Sequence, residues 1–308
     1  MITYADITTA AHRTTRHLRT TPLTQIDHHL WLKHEYLQHT GTFKARGAAN
    51  RLAAAARQGH LDPHTGVVTA SGGNAGLATA WAARTHNVPA TVFVPTTAPT
   101  VKLTKLAALG ARVQQVGDIY ADAYEAAIDH HKTTGALFNH AYDQKEICAG
   151  AGTLALETIT AQPHLDTIIV ACGGGGLMAG VATAAAQHGI TTIAAEPENA
   201  ATLTTALANG QPTTITPTGI AADSLGASRI GDIAYHTARE HNVQTITVTD
   251  EAITNARHQL WQQHRIVVEH GAATAWAALT TGAYQPQEHE NTAVVLCGAN
   301  TDPTDLNT

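Results

Sequence analysis

Several things are scarce in this chain, and each scarcity narrows its class. Only three cysteines occur in 308 residues, Cys148, Cys172 and Cys297, far apart and with no CxxC pair. A disulfide framework and a cysteine zinc site are therefore not expected, and a reducing cytoplasm fits best. No apolar run approaches the roughly 18 residues that a membrane-spanning helix needs. No basic block stands out among 18 Lys and Arg against 24 Asp and Glu, so nucleic acid is not an expected partner. Aromatic residues make up only 5%, and alanine and threonine dominate instead. Neither an internal repeat nor a low-complexity linker is present.

What is there suffices for one large or two modest domains: 308 residues, 44% of them hydrophobic. The 20 histidines show no metal-type cluster, and most read as solvated surface whose charge follows pH. The Arg- and Thr-rich start reads as folded protein rather than a transit peptide, because Asp6 interrupts it and no cleavage-type boundary follows. Short apolar runs alternate with Ala-rich helical runs. The strands are expected at Gly66–Ala70, Ala90–Val94, Arg112–Val116, Thr167–Ala171, Thr192–Ala195, Thr245–Val248 and Ala293–Leu296. Helices are expected at Gly76–His86, Thr100–Leu109, Tyr120–Lys132, Gly152–Thr160, Leu177–Gln187 and Asp250–Gln263. That alternation predicts an α/β fold with parallel sheets flanked by helices. Ligands of such folds sit at the carboxyl ends of strands.

Three strand ends run into unusual turns. Thr69-Ala70-Ser71-Gly72-Gly73-Asn74-Ala75-Gly76 offers a hydroxyl and turn amides suited to a carboxylate. Ala171-Cys172-Gly173-Gly174-Gly175-Gly176-Leu177 offers converging backbone N–H groups and a helix start, a phosphate cradle with no charged side chain. Val294-Val295-Leu296-Cys297-Gly298-Ala299-Asn300 closes the last strand. Upstream of all three, Lys44 sits between the turn His39-Thr40-Gly41-Thr42-Phe43 and an Ala-rich helix. A lysine buried there would lose pKa through desolvation and become a nucleophile able to form Schiff bases.

Taken together, in this order and spacing, these segments resemble the fold-type-II pyridoxal-phosphate (PLP) enzymes, in particular threonine and serine dehydratases and their serine racemase relatives. Lys33-His34-Glu35 through Phe43-Lys44-Ala45-Arg46-Gly47 matches the family's KxExxQxTGSFKxRGA segment, and the likeness spans nearly the whole chain. The resemblance implies two domains, each with a mostly parallel sheet flanked by helices: residues 1–65 with 144–308 as the large PLP-binding domain, and 66–143 as a smaller substrate-side domain. It implies that Lys44 holds the cofactor, with Phe43, Asn74, Gly173, Gly174, Gly175, Gly176, Leu177 and Cys297 as cofactor contacts. It places the substrate carboxylate on Ser71, Gly72, Gly73 and Asn74, with Asp223 nearby and Glu269 as a further cleft residue. Cys297 would face the pyridine nitrogen, where a thiol supports the electron sink less than a carboxylate would.

The implied reaction is elimination of the β-hydroxyl from L-threonine or L-serine, giving a 2-oxo acid and ammonia. A homodimer acting on a small hydroxy-amino acid is the family default. Departures from the pattern bear on the reaction. The histidine expected after Asn74 is Ala75, and Gly72 stands where serine racemases carry a second proton-transfer serine. The family's divalent-cation site would retain Glu196 and the Ala200 carbonyl, but its third ligand is Thr202 instead of aspartate, which argues against a cation. Alternatives within the family are 3-hydroxyaspartate dehydratase, serine racemase and a β-replacement synthase. Outside it stand a catalytically silent homologue and an NAD-dependent oxidoreductase using the Gly173–Gly176 loop, with Glu196 near the offset where an acid grips ribose. The last glycine falls one position late for the dinucleotide fingerprint, and that reading leaves Lys44 and Asn74 unexplained.

Overall fold

The computed structural model describes residues 1–307. The strands are β1 (Leu23–Asp27), β2 (Leu30–Lys33), β3 (Val67–Ala70), β4 (Ala90–Val94), β5 (Arg112–Gln115), β6 (Leu137–Phe138), β7 (Thr167–Ala171), β8 (Thr191–Pro197), β9 (Gln244–Val248) and β10 (Thr292–Val295). The helices are α1 (Tyr4–Thr14), α2 (Lys44–Arg57), α3 (Asn74–Thr85), α4 (Thr100–Ala108), α5 (Tyr120–Thr134), α6 (Lys145–Ala161), α7 (Gly176–Ala186), α8 (Thr202–Asn209), α9 (Ala222–Leu225), α10 (Asp232–Glu240), α11 (Asp250–His264) and α12 (His270–Thr280).

Two sheets form. One is six-stranded in the order β1-β2-β10-β7-β8-β9, and the other is four-stranded in the order β5-β4-β3-β6. All pairings are parallel except the β1–β2 hairpin. Strands covered on both faces read as continuous apolar runs, and β3, β4, β7 and β10 are buried along their whole length. The edge strand β5 carries arginine and glutamines and stays largely exposed, which blunts that edge.

All seven expected strands are present to within about two residues. The hairpin strands β1 and β2 and the two-residue β6 were not anticipated, because they lack a run long enough to show a period. Helix α6 begins at Lys145 rather than Gly152. Its glycines, which look like breakers in sequence, are contact points instead. A Cβ on Gly150 would lie 2.5 Å from the Arg46 carbonyl oxygen, and one on Gly152 2.6 Å from that of Gly180. A Cβ on Gly47 would sit 2.9 Å from the Ile147 carbonyl, and one on Gly180 2.4 Å from that of Cys148. Helices α2, α6 and α7 therefore touch backbone to backbone, which brings the start of α2, at Lys44, beside the start of α7, at the glycine loop.

Helix α2 is also pinned by charge. The Arg46 guanidinium, 1% exposed, donates to both Glu35 oxygens at 2.7 and 2.8 Å and to both Glu157 oxygens at 2.7 and 2.9 Å. Lys33 donates to Glu157 at 2.8 Å from β2. A buried ion cluster of this kind tolerates few alternative arrangements, and it fixes the helix turn that holds Lys44.

Candidate active site

The turn before Lys44 has two consecutive left-handed residues, Thr40 (φ 61°) and Gly41 (φ 71°). A non-glycine residue there is strained and must be held from outside. Asn300 does so: its Nδ2 donates to the Thr40 carbonyl at 2.8 Å, and Ala299 N–H donates to the Gly41 carbonyl at 2.9 Å. Phe43 N–H donates to the Cys297 carbonyl at 2.9 Å, so the end of β10 and the start of α2 are locked together.

Lys44 Nζ donates to the Ala141 carbonyl at 2.8 Å and stands 5.1 Å from the centre of the Phe43 ring. The amine borders a small cavity lined also by Phe43, Ala75, His140, Tyr142 and Gly176. Desolvation lowers its pKa from 10.5 to about 8. His140 is held below its ordinary value, chiefly by burial. Its Nδ1 accepts from the Tyr142 and Asp143 amides at 3.2 and 2.9 Å, which places the ring proton on Nε2.

The tetraglycine turn follows β7 and starts α7. Among the described residues, nothing accepts a hydrogen bond from the N–H of Gly173, Gly174, Gly175, Gly176, Leu177 or Met178. Six adjacent amides without acceptors, at the positive end of an 11-residue helix, form a cradle for a multiply charged anion. Its walls admit no side chains. A Cβ on Gly174 would lie 2.4 Å from the Tyr142 ring, and one on Gly175, which has φ 83°, 2.4 Å from Ala234 Cβ.

The Ser71–Asn74 turn follows β3 and starts α3. The Ser71 hydroxyl accepts from Gly73 N–H at 3.3 Å, and the amides of Gly72, Asn74, Ala75 and Gly76 have no acceptor among the described residues. Asn74 sits in a three-way network: its Nδ2 donates to Glu269 Oε1 at 2.7 Å, and its Oδ1 accepts from Asn300 Nδ2 at 2.7 Å. Asn300 N–H closes the network on Glu269 Oε2 at 3.2 Å. Burial pushes the Glu269 carboxyl up, with the Asn74 and Asn300 hydrogen bonds opposing. Burial likewise pushes the Cys297 thiol well up, so it stays protonated. Beyond this network opens a cavity of about 600 Å³, lined by Gly72, Gly73, Asn74, Lys102, Lys105, Asp223, Ser224, Glu269 and His270, among others.

A model of the family described as pyridoxal-phosphate dependent enzyme matches residues 10–298. This chain belongs to that family. It is 33% identical over 275 residues to an L-threonine ammonia-lyase of Thermotoga maritima, covering 89% of this chain and 67% of that one. It is 32% identical over 280 residues to a serine racemase of Oryza sativa, covering 89% and 81%. Maize serine racemase has a similar structure, with a TM-score of 0.90 at 30% identity, over 99% of this chain and 95% of that chain. The α/β fold is thus that of fold-type-II PLP enzymes, and pyridoxal phosphate is the cofactor.

The residues present fit that group. The acceptor-free amides at Gly173–Met178 match a phosphate, and Lys44, a desolvated amine bordering the same cavity as Gly176, matches an aldehyde-bearing partner. Of the residues singled out in sequence, Phe43, Lys44 and Gly176 share one cavity, while Gly72, Gly73, Asn74 and Asp223 share the larger one. Ser71 lines neither wall, although its hydroxyl holds the turn. Asp223 pairs with Lys102 across the cleft.

The dinucleotide alternative falls with the family assignment, and the structure shows what its acid does instead. Glu196 is fully buried and accepts from Leu203 N–H, Thr204 N–H and Thr204 Oγ1 at 2.7, 2.8 and 2.7 Å. It caps the start of α8. That also commits the carboxylate named as a cation ligand. Ala200 is buried in the short turn between β8 and α8. Among the described residues, no group of three or more His, Cys, Asp or Glu is placed to hold a metal.

The family resemblance also puts the segment His140-Ala141-Tyr142-Asp143 where relatives line the cleft, and His140 and Tyr142 do border the Lys44 cavity. Asn300, at the end of β10, and Lys102 were not singled out as site residues. Nothing in the sequence marks Lys102, one of two lysines on an ordinary amphipathic helix.

Proposed function

We propose that the chain is an ammonia-lyase for small β-hydroxy-amino acids, converting L-threonine or L-serine to 2-oxobutanoate or pyruvate plus ammonia. One observation supports elimination above the alternatives: no proton-transfer side chain stands at Gly72. Lys44 is the amine with a depressed pKa, and Gly72, in the turn that lines the cleft, offers no side chain to deliver a proton from a second direction. When bound, pyridoxal phosphate supplies an electron sink for a carbanion at the substrate Cα. Lys44 would hold the cofactor, and its free Nζ would take the substrate Cα proton, a transfer suited to an amine whose pKa is near working pH. The amides of Gly72–Gly76 and the Ser71 hydroxyl hold the substrate carboxylate. The Asn74–Glu269–Asn300 network fixes the Asn74 amide, which would contact the bound cofactor, and Cys297 would offer it a protonated, neutral thiol.

Serine racemase activity is the second reading, favoured by relatives of that name at nearly equal identity. The remaining expectations follow the same reading: a large domain of residues 1–65 and 144–308, a small one of 66–143, and a homodimer in the cytoplasm. The four-stranded sheet, drawn from residues 67–138, supports the division. Purified protein loaded with cofactor and given L-threonine or L-serine should release 2-oxo acid and ammonia in equal amounts, and Lys44→Ala should abolish both. D-serine from L-serine without 2-oxo acid would establish the racemase reading instead. Neither product from either substrate would overturn the proposal.

A further inference from the structure

The carboxylate turn contains no cationic side chain. Between Ser71 and Gly76 it offers one hydroxyl and backbone amides, and the position after Asn74 is Ala75. Backbone amides at a helix start hold a carboxylate, and a cation close enough to donate to it adds a charge-assisted hydrogen bond. The cation within reach is Lys102. Its stem runs directly over the turn: a Cβ on Gly72 would lie 3.9 Å from Lys102 Cδ, and the amine is two bonds further on. Lys102 lines the same cavity as Gly72, Gly73 and Asn74, and its side chain is 29% exposed. In the structure its amine is paired with Asp223 on α9, at the opposite wall of the cavity. Asp223 is 65% exposed at its side chain, so it remains hydrated when the pair opens.

We propose that Lys102 is the cationic ligand of the substrate α-carboxylate and that Asp223 is its counter-ion in the absence of substrate. This rests on the reading of Ser71–Asn74 as the carboxylate turn. Substrate exchanges one carboxylate partner of Lys102 for another, so the amine never loses a counter-ion and the cleft is held together before and after binding. Asp223 then acts through Lys102 rather than by touching substrate. The ligand class follows: a carboxylate-bearing amino acid, in preference to its amide or alcohol.

The test uses the cofactor-loaded protein and L-alanine, which has the carboxylate but no leaving group, alongside L-alaninamide, which lacks the carboxylate. Titrations are followed by the absorbance of the bound cofactor. Lys102→Met should weaken L-alanine by about 10- to 100-fold, the range expected for a lost charge-assisted hydrogen bond, and leave L-alaninamide unchanged. Lys102→Arg should retain most of the L-alanine affinity. Lys105→Met, which removes an equal charge one helical turn away, should have little effect. Asp223→Asn should bind L-alanine as tightly as the parent or more tightly. The proposal is overturned if Lys102→Met binds L-alanine like the parent, if it loses both ligands equally, or if Asp223→Asn weakens L-alanine as much as Lys102→Met. Absence of 2-oxo acid from threonine and serine would reject the lyase reading separately, because alanine binding needs no elimination.

Discussion

The desolvated amine of Lys44 makes a quantitative prediction. Burial lowers its pKa from 10.5 to about 8 in the chain without cofactor. At pH 7.5 about a quarter of such amines are neutral, against about one in a thousand for an ordinary lysine, a ratio of roughly 200. Only the neutral amine attacks an aldehyde. The rate at which apoprotein takes up pyridoxal phosphate in a form that borohydride fixes to Lys44 should therefore rise with pH and level off with a midpoint near 8. Stopped-flow absorbance at saturating cofactor, with peptide mapping of the reduced product, measures this directly. The same shift is a stability statement. The folded lysine binds fewer protons than the unfolded one between pH 8 and 10.5, so folding is opposed by up to about 3 kcal/mol below pH 8 and is relieved as pH rises toward 10.5. Apo Lys44→Met should accordingly resist urea better than the parent at pH 7, with the advantage shrinking toward pH 10.5. An attachment rate still climbing at pH 10, or a Lys44→Met advantage independent of pH, would refute the claim that burial tunes this amine.

Much of the fold was readable because parallel strands buried on both faces leave uninterrupted apolar runs, as at Thr167–Ala171 and Ala90–Val94. The turns at Ser71–Asn74 and Gly173–Gly176 were readable because an anion cradle needs glycine and a helix start, and both are visible in one dimension. The departures have physical causes. Gly150 and Gly152 look like breakers, but they are spaces for neighbouring carbonyl oxygens, a property set by α2 and α7 rather than by α6 itself. Glu196 looks like a ligand for a ribose or a cation until the first turn of α8 is seen to occupy it. Lys102 was invisible because its partner is 121 residues away and its role depends on which way α4 faces the cleft. Charge pairs across a cleft leave no period, no spacing and no composition signal.

Four further outcomes are expected. Gly175→Ala forces a side chain into a left-handed position 2.4 Å from Ala234 Cβ, and equilibrium dialysis should show cofactor affinity falling at least tenfold while the apoprotein remains folded. Arg46→Met leaves Glu35 buried without its partner and should cost about 3–5 kcal/mol in urea unfolding, and a loss under 1 kcal/mol would show that the cluster does not anchor α2. Because Glu196 is spent on the α8 amides, dialysis against EDTA should leave the melting temperature and activity unchanged, whereas a drop restored by magnesium would reinstate a cation there. The last concerns Gly72. A Cβ there meets Val94 Cγ1 at 3.4 Å and Lys102 Cδ at 3.9 Å, ordinary van der Waals distances, so the backbone accommodates the Cβ of a serine. If a missing proton donor is what restricts the site to elimination, Gly72→Ser should form D-serine from L-serine at a rate well above the parent, measured by chiral chromatography, with 2-oxo acid formation continuing alongside. A parent protein that already racemizes serine as fast as its Gly72→Ser variant would show that another group delivers that proton, and the argument for elimination from Gly72 would fail with it.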